Sequence, residues 1–211
     1  MKTLKIRAAR AVAACAAVLA ATIAGAQAPQ PVTTSTPLFS QVVVFTLPAG
    51  WKTAHKSESP NGYLMEFIPQ GQDIKAWRDL VTLQAYRGLG RKPEASPKNF
   101  LGMVASRMEK ACPGKAVAQS LGDGKVDGFD AHVAVLGCGS IGGKSEIAVY
   151  LAIRGSDDLY MIHRAFRGEP FDRAKPPLDA DQARQAIAAL RPVKICERSD
   201  PQAQCWQRQP R

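Results

Sequence analysis

Residues 144–167 have the sequence KSEIAVYLAIRGSDDLYMIHRAFR, and this stretch decides the fold. Alternate residues of its first half are apolar and lie on one side of the chain: Ile147, Val149, Leu151 and Ile153. This period of two is typical of a strand with one face against a core. Gly155-Ser156-Asp157-Asp158 is a turn sequence, and residues 159–167 are again strand-like. The stretch therefore predicts an antiparallel hairpin.

The same patterns predict further strands and two helices outside this hairpin. Strands are expected at residues 41–47, from Trp51 onward, and at residues 63–68, 80–86, 116–121 and 131–138, with turns at residues 122–124 and 127–128. One helix begins after the capping residue Ser96 and ends at Cys112-Pro113-Gly114, and another runs from about Asp179 or Asp181 to Leu190. Short connections between the strands predict an α+β fold, a mostly antiparallel sheet flanked by two main helices.

Four segments are expected along the chain. Residues 1–28 have the parts of a secretory signal: a positive start, an apolar run and the small-residue cleavage site Ala26-Gln27-Ala28. The apolar run has 15 residues, too few to span a bilayer, and Cys15 is interpreted as a filler within it. Residues 29–40 are predicted to be a flexible linker, 41–190 a single globular domain, and 191–211 a C-terminal tail tied by a disulfide.

Four cysteines follow the predicted signal, and in an oxidising compartment an even number predicts disulfides with three possible connectivities. The spacing favours Cys112 with Cys138, because these residues end adjacent elements. It also favours Cys196 with Cys205, because they bracket a short turn that contains Asp and Pro. A zinc site is disfavoured, since the chain has no CxxC pair and no histidine near these thiols.

The chain is basic, and the protein is expected to lie outside the cytoplasm. The whole chain carries a formal charge of +10, and removing the signal leaves +6. A basic exported domain attracts anionic partners within about a Debye length, although no run of five like charges marks a nucleic-acid site. We therefore expect a periplasmic or secreted protein with no transmembrane segment after signal cleavage.

Three stretches carry a resemblance to a known fold type. They are Leu47-Pro48-Ala49-Gly50-Trp51, then Phe67-Ile68-Pro69 with Trp77 and Val81-Thr82 after it, and the late hairpin ending in Gly155, Asp158, Leu159 and Tyr160. On these residues, the region 41–190 resembles exported bacterial proteins of the Mog1/PsbP-like α/β/α sandwich type. The resemblance implies a small antiparallel sheet flanked by helices, binding or accessory roles, and no shared catalytic residues.

No catalytic, cofactor-binding or metal-ligating set emerges from the sequence. Residues 137–142 spell GxGxxG, but a strand rather than a helix is expected next, which excludes a dinucleotide site. Residues 139–145 miss the Walker pattern by one position, and Ser140 lacks the glycine that a nucleophile elbow needs two residues earlier. The chain is therefore expected to be non-enzymatic and to need no cofactor.

The alternative function is a secreted hydrolase acting on an anionic substrate such as nucleic acid. It requires His132, His163 and Arg167 to meet in one accessible cleft, because acid-base catalysis needs groups within hydrogen-bond reach of a common atom. Neighbouring strand residues point to opposite faces, so the local sequence gives little support to this arrangement. His55 lies in a polar stretch and is interpreted as a surface residue.

The leading hypothesis is an exported, non-enzymatic accessory or binding protein of the bacterial envelope. Its partner is expected to be an unknown protein or an anionic envelope component, and the candidate partner-binding residues are Trp77, Arg78, Arg164 and Arg167. Trp51 is interpreted as a core residue and Trp206 as part of the tail. On this hypothesis, Trp77→Ala weakens partner binding without lowering the melting temperature.

Overall fold

A computed structural model describes residues 29–200 and residue 205 of the 211-residue chain. The strands are β1 (Val32–Leu38), β2 (Gln41–Leu47), β3 (Trp51–Ser59), β4 (Gly62–Pro69), β5 (Asp79–Tyr86), β6 (Ala116–Val126), β7 (Phe129–Ile141), β8 (Lys144–Arg154), β9 (Leu159–Gly168) and β10 (Lys194–Glu197). The helices are α1 (Pro97–Ala111) and α2 (Ala180–Ala188). The predicted signal segment, Cys15 and Trp206 lie outside the described residues.

Seven strands form one antiparallel sheet in the order β3-β4-β5-β9-β8-β7-β6. The predicted hairpin of β8 and β9 lies inside this sheet, and β8 has the predicted bounds. One face of β8 was expected to meet a core, but both faces do, since Ala148, Tyr150 and Ala152 are buried as well. An alternating apolar pattern therefore understated the burial, because alanine and tyrosine occupy the second face.

Helix α1 covers one face of the sheet over β6, β7 and β8. Its N-cap is the predicted Ser96, whose hydroxyl accepts a hydrogen bond from the Asn99 amide at 3.2 Å. Phe100 and Leu101 bury their side chains against the sheet. This side of the sheet has its own apolar core, which includes Trp77.

The opposite face is covered by α2 and by a second sheet of order β1-β2-β10. Helix α2 begins with a capping box, in which Asp179 and Gln182 each bind the other's backbone amide. Buried residues of β2, among them Val43 and Phe45, pack against the large sheet. The expected α+β class, an antiparallel sheet flanked by two helices, is confirmed, and the small sheet is an addition to it.

The predicted flexible linker at residues 29–40 is a wrong assignment, because β1 occupies Val32–Leu38 and pairs along its length with β2. Its Thr- and Pro-containing composition suits an exposed edge strand as well as a linker. Leu38 is buried at the end of this strand. The tail also contributes structure, since β10 pairs with the other side of β2.

Two further expectations need correction. The turn predicted at residues 122–124 lies within β6, where the register shifts between Ser120 and Gly122 in a bulge and Gly122 has a φ of 128°. Gly122 therefore lies at a bulge and not at a chain reversal. The chain reverses at Asp127-Gly128. The interpretation of Trp51 as a core residue is correct only in part, because Trp51 is half-buried at the start of β3 and packs against the edge of the core.

Both predicted disulfides are confirmed. Cys112, the C-cap of α1, is bonded to Cys138 of β7, so this bridge ties the helix to the sheet. Cys196 of β10 is bonded to Cys205 and so ties the tail. Within the described residues, neither helix is long and apolar enough to cross a membrane.

Candidate functional site

The candidate partner-binding residues Trp77 and Arg167 lie together on the α1 side of the large sheet. Trp77 is only 6% exposed, and the Arg167 guanidinium carbon lies 3.9 Å from the centre of its indole ring. Arg167 also forms an ion pair with Glu146 at 2.8 Å. Both side chains are therefore engaged within the protein, and Trp77, on the loop between β4 and β5 as predicted, is buried in the core.

Arg164 lies on the opposite side of the sheet, because it is an odd number of residues from Arg167 on β9. It donates two hydrogen bonds to Asp79, at 3.1 and 2.7 Å, and lies 5.6 Å from the centre of the Trp51 ring. Arg78 is exposed. The four residues do not share one surface, and their role in partner binding stays a prediction.

The histidines of the hydrolase alternative, His132 and His163, lie on β7 and β9 with β8 between them, so about two strand spacings separate the two positions. His163 is 9% exposed and stacks on Tyr150 with ring centres 4.6 Å apart. Burial lowers the pKa of His163 to about 4, so the imidazole is neutral near pH 7. His55 is exposed on β3, as expected.

The glycine-rich stretch at residues 137–142 has a packing role. Gly139 lies within β7, its amide donates to the Lys115 carbonyl, and its carbonyl accepts from the Phe171 amide, both at 2.9 Å. A Cβ atom at Gly139 would collide with the Phe171 carbonyl. Glycine is therefore required for close approach of two backbones, and the strand β8 follows where a nucleotide site would need a helix.

A groove of about 640 Å³, which we call the Phe39 groove, is the best-formed candidate for a ligand site. It is lined by the end of β1 and the turn after it, by β3 and β4, and by loops that follow β5, β8 and β10. Its charged side chains are Lys56, Arg87, Arg91 and Arg198 against Glu58, Asp157 and Asp158. No local sequence pattern indicated this groove.

Two of its arginines have no acidic partner in the part of the chain that the structure describes. Lys56 pairs with Glu58 at 3.4 Å and Arg91 with Asp157 at 3.8 Å. No carboxylate of the described residues lies within 4 Å of a side-chain nitrogen of Arg87 or Arg198. These two guanidinium groups make the Phe39 groove electropositive.

Both of these arginines contact Phe39 at the tip of the β1–β2 turn. The Arg87 guanidinium carbon lies 4.5 Å from the centre of the Phe39 ring, and Nη1 of Arg198 donates to the Phe39 carbonyl at 3.5 Å. Phe39 has a φ of +53°, a left-handed conformation that is rare for a bulky residue. Strained backbone of this kind is enriched at ligand sites.

Asp158 holds the base of the Phe39 groove together. Its carboxylate accepts from the Ser40 amide at 3.1 Å, from the Ser40 hydroxyl at 2.5 Å and from the Gly88 amide at 2.6 Å. Burial alone would raise the pKa of Asp158, but these bonds and one from Tyr160 outweigh it and lower the pKa. Asp158 and Tyr160, two residues of the sequence resemblance, therefore fix the turn that carries Phe39.

A second constellation, made of Ser120, His132 and Asp123, lies on the β6–β7 hairpin. No sequence motif indicated it. Oγ of Ser120 lies 3.1 Å from Nε2 of His132, and Nδ1 of His132 lies 2.7 Å from Oδ1 of Asp123. Asp123 is directly opposite His132 in the register, and the bulge after Ser120 brings the hydroxyl to the other side of the ring. The signal available in the sequence was a serine, an aspartate and a histidine on adjacent strands.

Within residues 29–200 and Cys205, no group of three histidine, cysteine, aspartate or glutamate side chains is placed to hold a metal ion. Ser120, His132 and Asp123 instead form a hydrogen-bonded chain, with the serine hydroxyl, a potential nucleophile, at one end and a carboxylate at the other.

Comparisons with known proteins found similarity of fold. No protein-family model matches the chain, and no curated protein matches it. Among solved structures, it is similar to the Saccharomyces cerevisiae Ran-binding protein Mog1p, at 11% identity and a TM-score of 0.47 over 79% of this chain and 96% of that one. It is also similar to cyanobacterial PsbP (CyanoP) from Synechocystis sp. PCC 6803, at 11% identity and a TM-score of 0.49 over 84% and 98%.

A third similar structure, from Bacteroides thetaiotaomicron, has 11% identity and a TM-score of 0.38, and the match covers 75% of this chain and 46% of that one. Mog1 and PsbP are the fold types that the sequence resemblance named. That resemblance is confirmed as a likeness of fold, and at TM-scores below 0.5 it assigns no ligand or activity to this chain.

Proposed function

We propose that this chain is an exported binding or accessory protein of the bacterial envelope, and that its Phe39 groove holds an acidic, extended segment of a partner protein. One observation carries the proposal. Arg87 and Arg198 both contact Phe39, and neither guanidinium has a carboxylate within 4 Å among the described residues. A guanidinium is a planar donor that matches a carboxylate, so an acidic side chain of a ligand complements this pair.

The shape and edge of the Phe39 groove favour a peptide over a small ion. β1 pairs only with β2 in the described part of the chain, and its residues 35–38 line the groove. An edge strand offers main-chain groups to which an extended peptide can pair. Tyr63 and Met65 supply apolar lining beside the charges, which suits the alternating side chains of such a peptide.

Export is supported by the signal-like residues 1–28 and by two disulfides, which persist in oxidising compartments. A binding or accessory role is consistent with the fold.

The proposal is tested by fluorescence anisotropy with labelled peptides of about eight residues that alternate Asp or Glu with Val or Thr. Matched peptides carry Asn or Gln in place of the acids. The protein is compared with the double variant Arg87→Gln/Arg198→Gln. We expect the acidic peptide to bind, and the double variant to bind it at least about tenfold more weakly, because two charge-assisted contacts are lost.

The matched control is Arg173→Gln/Lys175→Gln, which removes the same charge from exposed positions outside the groove. It should keep the affinity within about twofold, apart from a small effect of net charge. Equal losses in both double variants would mean that net charge alone attracts the peptide. That result, or absence of binding by the unmodified protein, would refute the proposal. Binding of anionic lipid vesicles in place of the peptide would also refute it.

A further inference from the structure

The Ser120, His132 and Asp123 constellation lies at the edge of the large sheet that is opposite to β3. β6 is the outermost strand there, and β7 is its neighbour. The three side chains form two hydrogen bonds, Ser120 Oγ to His132 Nε2 at 3.1 Å and His132 Nδ1 to Asp123 Oδ1 at 2.7 Å. Each ring nitrogen therefore has one partner, and the imidazole is held from both ends.

The bond to Asp123 selects one tautomer of the imidazole. A carboxylate accepts and does not donate, so in the uncharged form of the ring the proton lies on Nδ1 and is donated to Asp123. Nε2 then carries a lone pair, and the Ser120 hydroxyl donates to it. This is the arrangement in which histidine acts as a base toward serine while a carboxylate orients the ring.

The exposures of the three side chains permit a reaction at the Ser120 hydroxyl. Ser120 is exposed, so an acyl donor can approach its oxygen from solvent. The His132 side chain is only 3% exposed, so the base is shielded from bulk water behind the serine. Asp123 is 70% exposed, which weakens its electrostatic support for the imidazolium but leaves its orienting hydrogen bond in place.

The surroundings of Ser120 leave it accessible. Ser120 is exposed on the outermost strand and does not line the Phe39 groove, so a small, activated ester can reach its hydroxyl without entering that groove. β6 pairs only with β7 in the described part of the chain, so Ser120 lies on an edge strand. The register shift between Ser120 and Gly122 also leaves Leu121 without a cross-strand partner.

We infer that Ser120 is an activated nucleophile that accepts an acyl group from small, activated carboxylic esters. The Ser120 oxygen bonds to the carbonyl carbon while His132 Nε2 takes the hydroxyl proton. The bond to the leaving oxygen then breaks, and the leaving group takes that proton as an alcohol or phenol. Water, deprotonated by His132, hydrolyses the acyl-serine to a carboxylic acid and restores the hydroxyl. This activity is separate from the proposed binding function, since it uses the opposite edge of the sheet.

The experiment treats the full folded protein with p-nitrophenyl acetate and locates the acetyl group by peptide mass mapping. Position is the readout, because exposed lysines and His55 also release nitrophenol. We expect the acetyl group on Ser120 in the unmodified protein. Ser120→Ala removes it, and Asp123→Asn slows labelling roughly a hundredfold or more, because an amide favours the wrong tautomer of the imidazole.

The matched control is Ser106→Ala, since Ser106 is also exposed but its hydroxyl bonds to the Gly102 carbonyl. This variant should be labelled at Ser120 at the unmodified rate, as should Arg87→Gln/Arg198→Gln, which separates the result from the groove. Ser120→Ala and Asp123→Asn each change a hydrogen bond to the buried His132, so each is expected to lose part of the stability and still to fold, which its melting temperature checks. No acetyl group on Ser120, or equal labelling rates in Asp123→Asn and the unmodified protein, would mean that the three residues only satisfy a buried histidine.

Discussion

At the scale of single residues, Trp77 was predicted as a partner-binding candidate in a loop, with a cap over the sheet edge as the other interpretation. The structure buries it in the α1-side core, in the same cluster as Leu80 and under Arg167. We therefore expect Trp77→Ala to lower the free energy of unfolding by about 3–5 kcal/mol, because it leaves a large cavity. Urea denaturation measures this loss.

Arg78→Ala is the matched control for Trp77→Ala, because Arg78 is the next residue and is exposed. Its effect on stability should stay within about 0.5 kcal/mol. An unchanged midpoint for Trp77→Ala would contradict the core assignment and favour a role of Trp77 in partner binding.

His163 makes the stability depend on pH. Burial lowers its pKa from 6.5 to about 4, and its Nδ1 has no hydrogen-bond partner among the described residues. Between these values the unfolded chain binds a proton that the folded chain does not, so the free energy of unfolding falls as pH falls from 6.5 to 4. The expected loss from this group is about 3 kcal/mol, complete near pH 4.

Denaturation curves at several pH values test this dependence, with His163→Phe as the variant. A phenyl ring can keep the stack on Tyr150 without titrating, so most of the slope between pH 6.5 and 4 should disappear. His55→Gln is the control and should retain the slope, because His55 is exposed. If His163→Phe folds and keeps the full slope, another group is responsible.

At the scale of elements, removing β1 tests whether residues 32–38 are an ordered edge strand or a linker. Starting the chain at Phe39 removes the whole strand, including the buried Leu38 and the side-chain bond from Thr34 to the Phe45 carbonyl. We expect a melting temperature roughly 5–15 °C lower than that of a chain starting at Pro29, since losing a buried leucine alone costs about 2–5 kcal/mol. Thermal denaturation measures the difference.

The control for this deletion is a chain that starts at Val32 and therefore keeps β1 complete. It should melt within about 2 °C of the longer chain. Equal melting temperatures for all three chains would show that residues 32–38 contribute nothing to stability, as the linker interpretation requires.

The elements that could be predicted are those whose evidence is local. β8 has the predicted bounds because its alternation and its flanking turns lie within the segment itself, and α1 begins at the predicted cap, Ser96. β1 could not be recognised, because its order comes from pairing with β2 and its own composition is compatible with a linker. The turn predicted at Gly122 was wrong for a similar reason, since a glycine in a bulge cannot be told from a glycine in a turn by the sequence alone.

The candidate sites depend on contacts that local sequence does not contain. Ser40 and Asp158 are 118 residues apart, yet their hydrogen bonds position Phe39. The Ser120, His132 and Asp123 set depends on the strand register and on a one-residue bulge. A register shift of one residue would place Asp123 on the other side of β6, so residue type and approximate spacing were insufficient.

At the scale of the whole molecule, the two faces of the large sheet are closed in different ways. The α1 face is tied by Cys112–Cys138, which joins the end of the helix to β7. The other face carries the small sheet, whose third strand, β10, is tied by Cys196–Cys205. Because the tail pairs with β2 as well as being bridged, the second disulfide fastens a strand of the fold rather than a loose extension.

Because disulfides persist in oxidising compartments, the mass of the whole chain tests where the protein is located. Intact mass is measured on protein recovered from its native cell envelope and from the medium, with and without reductant. We expect a species that begins at Pro29 and gains the mass of two hydrogens for each of its two disulfides on reduction. A species acylated at Cys15 would indicate membrane anchoring. A species that retains Met1 with free thiols would place the protein in a reducing compartment, where neither disulfide persists and export is excluded.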